Sequence, residues 1–386
     1  MSLRWLIEFM IVPRSTEPVS IPGSAVSVAF GAGNLAHLGS IARTLGARCA
    51  LVVSDPGIVA TGYDDRALRS LRDAGIQAHL FSETGENPTT DHIAAGVEFA
   101  RPRQIDFIVG LGGGSSMDCA KGINFILTNG GRMQDYWGVD KARNPLLPMI
   151  AIPTTAGTGS DAQSFALITD PATHQKMACG DKKCLPRVSI LDPELTATQP
   201  PKVAAATGID AVTHAVETAA TTKRNPTSIR FSKAAWELLS SAYERAMSNP
   251  SDIEAREKML LGSHLAGVAI ENSMLGAAHS LANALTAVAG TVHGVAVGMM
   301  MPHVVRFNSA GGANPYSELL PDPANLAHRI EALLDSGKLP RRLSDVGINS
   351  DQIPQLAAIA ATQWTASFNP RPVTEADFRQ ILLQAS

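Results

Sequence analysis

Four side chains of the metal-binding type lie in two stretches of the second half of the chain. Asp210 and His214 are four residues apart, and this spacing puts both on one face of a helix. His279 and His293 bracket an apolar segment further on. One carboxylate with three imidazoles suits a divalent ion of Fe, Zn or Mn and leaves coordination positions open for a substrate. The sequence therefore predicts a metal site made by these four residues.

The strength of this prediction comes from the quartet rather than from any pair within it. A chain with ten histidines contains an Asp-x-x-x-His pair by chance fairly often. All four residues, however, lie in segments of apolar and small residues, and burying them without a shared partner would be costly. His264 and His303 stand alone in apolar contexts, and we interpret them as structural histidines.

A glycine run follows a predicted strand and leads directly into a predicted helix. Gly112, Gly113, Gly114 and Ser115 would let backbone N–H groups approach a phosphate, and the helix N-terminus adds a favourable dipole. The run is not a G-x-G-x-x-G fingerprint, and glycine turns also form here for steric reasons alone. Phosphate binding and a purely steric turn both remain open on this evidence.

Two other strand ends carry polar side chains that suit a dinucleotide. A carboxylate at Asp55 would accept hydrogen bonds from ribose hydroxyls and repel a 2′-phosphate, which favours NAD over NADP. The alternative interpretation is an ordinary Asp-Pro-Gly turn. Thr154, Thr155 and Thr158 follow a further strand in a loop that would line a cofactor, although such loops are also common where nothing binds.

The elements that must position these residues alternate along the first half of the chain. Short β-branched runs alternate with helical patterns, which predicts a mostly parallel sheet covered by helices. Ligands bind such sheets at the carboxyl ends of the strands. The predicted strands are Cys49–Ser54, Gln77–Ser82, Asp106–Gly110 and Met149–Ile152, and the predicted helices are Arg66–Ala74, Asp91–Arg101 and Met117–Leu127.

The strand signal ends near Pro200, after which Ala, Leu and Met recur at helical spacing. We therefore expect an α/β domain over residues 1–196 and an all-helical domain over residues 197–386. The apolar run from Trp5 to Val12 is interrupted by Glu8 and is followed by no small-residue cleavage site. We interpret it as a strand or a poorly ordered leader rather than a signal peptide.

Composition excludes several classes of function. Of the 386 residues 45% are hydrophobic and 17% are charged, and a net charge of -3 offers no field for nucleic acid. No stretch approaches the roughly 20 apolar residues of a membrane-spanning helix. The four scattered cysteines match no zinc-ribbon spacing and fit a reducing compartment. We expect a cytoplasmic protein that binds neither nucleic acid nor a membrane.

Four motifs resemble those of the iron-containing alcohol dehydrogenase family, which has a dehydroquinate-synthase-like fold. They occur in family order and span most of the chain from Asp55 onward, and a short tail near the C-terminus is also similar. The motifs are Gly112-Gly-Gly-Ser-Ser-Met-Asp118, Ile152-Pro-Thr-Thr-Ala-Gly-Thr158, the segment from Ala204 to Glu217 and the segment from Leu275 to His303, and the tail is Asn369-Pro-Arg-Pro372.

The resemblance implies a dinucleotide-binding α/β domain, a helical domain and an active site in the cleft between them. It places the metal ligands on Asp210, His214, His279 and His293. The cofactors that it implies are NAD in preference to NADP, and Fe²⁺ with Zn²⁺ or Mn²⁺ as alternatives. The cofactor contacts that follow from it are Asp55, Gly112, Gly113, Gly114, Ser115, Asp118, Thr154, Thr155, Thr158 and Lys176.

The implied reaction passes a hydride between a small alcohol or aldehyde and the nicotinamide, with the metal ion as a Lewis acid for the alkoxide. Many family members carry a second histidine four residues after the third ligand, often given a proton-relay role, and here that position is Asn283. Because asparagine does not titrate near neutral pH, the proton must leave through water or a ribose hydroxyl, or the substrate range has changed. A homodimer or larger homo-oligomer is expected by family analogy.

Two other functions fit the same motifs. One is a polyol or sugar-phosphate dehydrogenase, or a cyclising lyase, of the same superfamily. Phosphorylated substrates call for lysine and arginine near the ligand histidines, and that region is nearly free of them. The other is a non-catalytic scaffold that has kept the fold. Metal analysis combined with NAD reduction over a panel of small alcohols separates the three.

Overall fold

The computed structural model describes Ser15, residues 17–173 and residues 175–386. The N-terminal run predicted as a strand or leader, Trp5–Val12, lies outside the described residues. The described chain forms two compact units, each with its own core. The first comprises the described residues up to Thr155 together with Ser160–Thr198, and the second comprises Ala156–Gly159 together with Gln199–Ser386.

The first unit is an α/β structure built on a seven-stranded sheet. Its strands are β1 Val19–Ser20, β2 Ser27–Phe30, β3 Cys49–Val53, β4 Gln77–Phe81, β5 Phe107–Gly112, β6 Gly138–Val139, β7 Met149–Pro153, β8 Phe165–Thr169, β9 Lys176–Gly180 and β10 Val188–Leu191. Its helices are α1 Leu38–Thr44, α2 Pro56–Val59, α3 Tyr63–Asp73, α4 Thr90–Ala100 and α5 Gly114–Asn129. The large sheet has the order β1-β2-β10-β7-β5-β3-β4, and a second sheet has the order β6-β9-β8.

The large sheet is parallel except for the β1–β2 pair. Its central strands are continuous apolar runs because both faces are covered, as is usual in parallel sheets. Side chains alternate between the two faces: Leu51 and Ile108 pack in one core, and Val52 and Val109 pack in the other. This confirms the predicted parallel sheet with helices on its faces.

All seven predicted strands and helices of this unit form, and their ends differ from the predictions by at most three residues. The largest differences are at the helix starts, such as α5, which begins at Gly114 rather than Met117. Glycine and serine carry no hydrophobic periodicity, so the first turn gives no helical pattern. Strands β1, β2 and β10, the small sheet and the short helices α1 and α2 were not predicted from the sequence.

The order of the strands brings three loops to one edge of the large sheet. Strands β3, β5 and β7 are adjacent and parallel, so their carboxyl ends lie side by side. The loops that follow them begin at Ser54, Gly113 and Thr154. These are the segments in which the sequence predicts the dinucleotide contacts.

The second unit is helical. No strand occurs in residues 199–386, all of which the structure describes, and this confirms the predicted change of fold class. The first helix starts at Pro201, a position that suits proline because the N–H there has no partner in the helix. The helices are α6 Pro201–Ala220, α7 Pro226–Ser248, α8 Ile253–Asn272, α9 Ala277–Ala289, α10 His293–Asn308, α11 Pro323–Ser336, α12 Ile353–Thr362 and α13 Glu375–Gln384.

Among the described residues, no helix combines the length and the apolar character needed to cross a bilayer.

Candidate active site

Helix α6 presents three functional side chains on one face. Asp210, His214 and Glu217 follow one another at spacings of four and three residues, which is the spacing of neighbours along a helix face. Each side chain is buried. The first two of these residues were predicted from the sequence as metal ligands, and Glu217 was not.

The other two predicted ligands lie at helix starts. His279 is in the first turn of α9, and His293 is the first residue of α10. A glycine after His293 permits close packing of α10 against α6, because a Cβ atom at Gly294 would lie 2.1 Å from the carbonyl oxygen of Ala206 and 3.2 Å from Cβ of Asp210. Gly294 thus brings His293 beside the α6 residues.

Three of the four predicted ligands, Asp210, His279 and His293, form a group that could hold one metal ion, and His214 lies beside that group. Oδ1 of Asp210 lies 3.5 Å from Nε2 of His214 and 3.7 Å from Nε2 of His279. Ligand atoms of Asp210, His279 and His293 all lie within 4.8 Å of one another. Two atoms bound to one ion at about 2.1 Å each are at most roughly 4.2 Å apart, so small side-chain rotations would let these groups share an ion.

Hydrogen bonds on the far side of two imidazoles orient their rings. Nδ1 of His214 lies 3.2 Å from the carbonyl oxygen of Gly157, and Nδ1 of His279 lies 2.5 Å from Oε2 of Glu217. Both partners are acceptors, so each Nδ1 carries a proton and donates it. In the neutral imidazole this leaves the Nε2 lone pair directed at the cluster, as a metal ligand requires.

Two atoms inside the cluster lack hydrogen-bond partners. Oδ1 of Asp210 and Nε2 of His279 are buried, and neither has a hydrogen-bond partner among the described residues. Buried polar atoms of this kind are costly unless something else satisfies them. A carboxylate oxygen and imidazole nitrogens are donors that a divalent Fe, Zn or Mn ion accepts, so the residues present fit such an ion.

Electrostatics within the cluster also favour a cation. Burial alone would raise the pKa of Asp210, but the three surrounding imidazoles together hold the pKa well below its ordinary value. Burial would lower the pKa of His279, but the carboxylates of Glu217 and Asp210 outweigh it and raise the pKa to about 9. The two buried carboxylates thus favour positive charge inside the cluster, which a divalent ion would supply.

Asn283 lies on α9 four residues after His279, so both side chains are on the same side of the helix. Its Nδ2 donates a hydrogen bond to Oε1 of Gln363 at 3.1 Å. The contact is between two amides, and neither of them titrates. The catalytic role of Asn283 stays a prediction.

The glycine run is held to the preceding strand loop. Ser116 donates from Oγ to Oδ2 of Asp55 at 2.8 Å, and Oδ1 of Asp55 accepts the N–H of Ile58. Gly112 has a φ of 149°, and a Cβ atom there would lie 2.3 Å from Oγ of Ser116. Gly113 is the N-cap residue of α5 and has no side chain that could accept a hydrogen bond. No N-cap side chain therefore caps the amides of the first turn, including those of Gly114 and Ser115.

Near the glycine run, Asn87 links two predicted cofactor residues, Ser115 and Lys176. Asn87 itself was not predicted from the sequence. Asn87 donates its N–H to Oγ of Ser115 at 3.2 Å, and its Oδ1 accepts from Nζ of Lys176 at 3.2 Å. Asn87 has a φ of 51°, a conformation that asparagine tolerates better than most residues. The structure therefore brings Lys176 and Ser115 together.

The remaining predicted cofactor residues have different surroundings. Thr154 donates its N–H to the carbonyl oxygen of Gly112 at 2.9 Å, and Thr155 lies beside Gly113. Asp118 is buried, its Oδ1 accepts a hydrogen bond from Oγ of Ser160, and its Oδ2 accepts the N–H of Leu167. These contacts favour a role in holding the chain around Ser160 and Leu167 over direct contact with a cofactor. Thr158 belongs to the short stretch that packs with the second unit.

Comparison with known proteins gives consistent results. The model of the iron-containing alcohol dehydrogenases matches residues 25–193, and that of the C-terminal part of the Fe-containing alcohol dehydrogenase family matches residues 204–386. Alcohol dehydrogenase 4 of Schizosaccharomyces pombe is 40% identical over 77% of this chain and 71% of its own length. The NAD-dependent methanol dehydrogenase of Bacillus methanolicus is 34% identical over 95% of this chain and 98% of its own length.

Solved structures agree with the sequence matches. A crystal structure of a 1,3-propanediol oxidoreductase superposes with a TM-score of 0.88 at 33% identity, covering 93% of this chain and 97% of that one. An alcohol dehydrogenase from Oenococcus oeni superposes with a TM-score of 0.87 at 28% identity, covering 93% and 98%. From its motifs, its fold and these relatives, the chain belongs to the iron-containing alcohol dehydrogenase family.

Proposed function

We propose that this chain transfers a hydride between a small, uncharged alcohol or aldehyde and NAD, at a divalent metal ion held by Asp210, His214, His279 and His293. Family membership makes it an oxidoreductase that acts on CH–OH groups. The observation that carries the proposal is the pair of buried atoms without hydrogen-bond partners, Oδ1 of Asp210 and Nε2 of His279, which lie 3.7 Å apart.

The residues of the cluster would divide the work as follows. A bound ion supplies Lewis-acid stabilisation for the negative charge that develops on the alcohol oxygen. Asp210 contributes a full negative charge, and His214 is held in orientation by its hydrogen bond to Gly157. Asn283 cannot accept the alcohol proton, which must pass to water or to a hydroxyl group.

NAD is the cofactor that the first unit favours. Asp55 places a carboxylate beside the glycine run, where it would accept hydrogen bonds from ribose hydroxyls and repel a 2′-phosphate. The amides of the first turn of α5 suit a pyrophosphate. The name of the Bacillus methanolicus relative, an NAD-dependent methanol dehydrogenase, is in line with this choice.

An uncharged substrate is favoured by the charges around the cluster. The ionisable groups that act most strongly on Asp210 and His279 are the other cluster members and Glu217. A phosphorylated substrate would need lysine or arginine there. We propose Fe²⁺ as the ion because of the family, with Zn²⁺ and Mn²⁺ as alternatives, and a cytoplasmic homo-oligomer in which the four buried cysteines are thiols.

The test is metal analysis together with a substrate panel. Protein reconstituted separately with Fe²⁺, Zn²⁺ and Mn²⁺ is assayed for NAD and NADP reduction with ethanol, propan-1-ol, propane-1,3-diol and glycerol 3-phosphate. We expect one ion per chain and turnover of the uncharged alcohols with NAD. Preference for the phosphorylated alcohol would support the related sugar-phosphate function, and absence of both metal and turnover would support a scaffold.

A further inference from the structure

The carboxylate of Glu217 lies at the point where α6 meets the start of α9. Its Oε2 accepts the N–H of Gly276 at 3.0 Å and Nδ1–H of His279 at 2.5 Å, and its Oε1 accepts the N–H of Ala278 at 2.7 Å. The side chain is 3% exposed. One buried carboxylate therefore fixes both the backbone that carries His279 and the imidazole ring itself.

A second side chain supports the same helix start from the far end of the chain. Oδ1 of Asn369 accepts the N–H of Ala277 at 3.4 Å, and Asn369 exchanges two hydrogen bonds with Asn308. A Cβ atom at Gly276 would lie 3.1 Å from Oε1 of Glu217 and 3.2 Å from Oδ1 of Asn369. The start of α9 is thus held between two acceptors, both of which would have to shift slightly for a larger residue at position 276.

These contacts decide which nitrogen of His279 is available. A carboxylate only accepts hydrogen bonds, so Nδ1 must carry the proton. In the neutral ring, Nε2 then has its lone pair free, and this atom faces Oδ1 of Asp210 at 3.7 Å. Without Glu217, nothing in the described surroundings of Nδ1 would select this tautomer over the other, because no other hydrogen bond to Nδ1 is found among the described residues.

We propose that Glu217 is a positioning residue that presents the Nε2 lone pair of His279 to the metal ion, an inference that rests on the proposed function. Outer carboxylates of this kind typically change metal affinity by about 10- to 100-fold when they are removed. Glu217 acts through His279 and touches no substrate. Asn369 supports it by holding the backbone of the same turn.

The variant Glu217→Gln tests the proposal with almost no change in volume. If the amide nitrogen takes the place of Oε2, it faces Nδ1 with a donor and favours the tautomer with the proton on Nε2, which cannot bind metal. If the amide nitrogen takes the place of Oε1, it faces the N–H of Ala278. Both groups are donors, so the hydrogen bond to Ala278 is lost. We expect the affinity for Zn²⁺, measured by competition with a chelator, to fall at least about tenfold. A folded variant with unchanged affinity would overturn the proposal.

The matched control is Asp192→Asn in the first unit. Asp192 is also buried, and its carboxylate accepts the N–H groups of Gly33, Leu35 and Glu194. Like Glu217→Gln, this variant replaces a buried carboxylate that accepts three hydrogen bonds with an amide. We expect it to lower the melting temperature and to leave Zn²⁺ affinity unchanged. An equal loss of affinity in both variants would mean that general destabilisation, not positioning, is responsible.

A measurement on the wild-type chain keeps the proposal testable if Glu217→Gln does not fold. The metal-free protein is labelled with ¹⁵N-histidine, and its spectrum is recorded at about pH 10, above the pKa of about 9 of His279. The His279 signals are assigned from a His279→Gln variant. We expect the proton on Nδ1, and a proton on Nε2 would overturn the proposal. If the tautomer is as expected but the wild-type chain binds no metal, the proposed function fails instead.

Discussion

The imidazole rings of His214 and His279 stack with their centroids 4.8 Å apart and their planes 16° from parallel. The stack places both Nε2 atoms within 4 Å of the same carboxylate oxygen of Asp210. The rings come from two helices that are separated by more than sixty residues of sequence. Their Nδ1 atoms point the other way, to Gly157 and Glu217. Two imidazole nitrogens therefore face one buried carboxylate oxygen, an arrangement that suits a cation.

Metal removal is therefore expected to destabilise the protein. An ion present at 100 times its dissociation constant stabilises the folded state by about 2.7 kcal/mol. Dialysis against a chelator should lower the melting temperature, and adding back the ion should restore it. In Asp210→Asn, which lacks the buried charge of the cluster, addition of the ion should have little effect. A wild-type melting temperature that does not respond to chelation would contradict the presence of a metal site at Asp210.

Gly294→Ala should disrupt the cluster through the backbone. The added methyl group would lie 2.1 Å from the carbonyl oxygen of Ala206, so α10 must move away from α6 and carry His293 with it. Overpacking of this kind typically costs about 1–3 kcal/mol. We expect a lower melting temperature and a metal content well below one ion per chain.

The matched control for this change is Gly298→Ala, one turn further along α10. There the new methyl group meets the side chain of Ile209 at 2.8 Å, and that side chain can rotate. We expect a smaller loss of stability and normal metal content. If Gly298→Ala removes the metal as well as Gly294→Ala does, the close approach at residue 294 has no special part in the site.

Sequence alone was sufficient for the parts of the site that follow from local periodicity. The spacing of Asp210 and His214 puts both on one face of a helix, and continuous apolar runs such as Met149–Ile152 predict buried strands. The approach of His279 to Asp210 was predicted only from the shared polarity of the quartet and the family resemblance. Hydrophobic patterns give no signal for contacts between distant helices.

The residues that were not predicted, Glu217, Asn87 and Asn369, owe their roles to contacts with residues that are distant in sequence. Glu217 follows His214 at a helix spacing and was available to the same argument, but a carboxylate on an apolar helix gives no indication of what it bonds. Asn87 and Asn369 are polar residues in loops, where asparagine is common. Their partners, Ser115 and Ala277, lie far away in sequence, and only the folded chain shows the pairing.

Asp55→Asn should relax the proposed preference for NAD over NADP. The amide retains an oxygen that accepts the N–H of Ile58 but loses the charge that repels a 2′-phosphate. We expect kcat/KM with NADP to rise by roughly tenfold, since like charges in close contact are strongly unfavourable. Asp106→Asn removes a carboxylate that lies just before β5, at the opposite end of that strand, and should leave the cofactor ratio unchanged. Equal ratios in wild type and Asp55→Asn would exclude Asp55 from cofactor selection.

Because of His303, the protein should be less stable at mildly acidic pH than at neutral pH. Burial, together with Arg306 and Arg341, lowers the pKa of His303 to about 4, whereas in the unfolded chain it is about 6.5. Between these values the unfolded state binds a proton that the folded state does not, so stability falls as the pH is lowered from 6.5 toward 4. In His303→Gln the melting temperature should fall less over this range. His328→Gln, on the exposed side of α11, controls for the loss of one imidazole.

Asn283→His tests whether the proton path runs along α9. The new imidazole would lie one helical turn, about 6 Å of rise, beyond His279 and would titrate near neutral pH. We expect the pH–rate profile of alcohol oxidation to gain a limb with an apparent pKa near that of histidine, while the metal content stays at the wild-type level. Asn283→Gln, which also cannot titrate, should keep the wild-type profile. A profile that is the same in all three proteins would remove position 283 from the mechanism and leave water or a hydroxyl group as the only route for the proton.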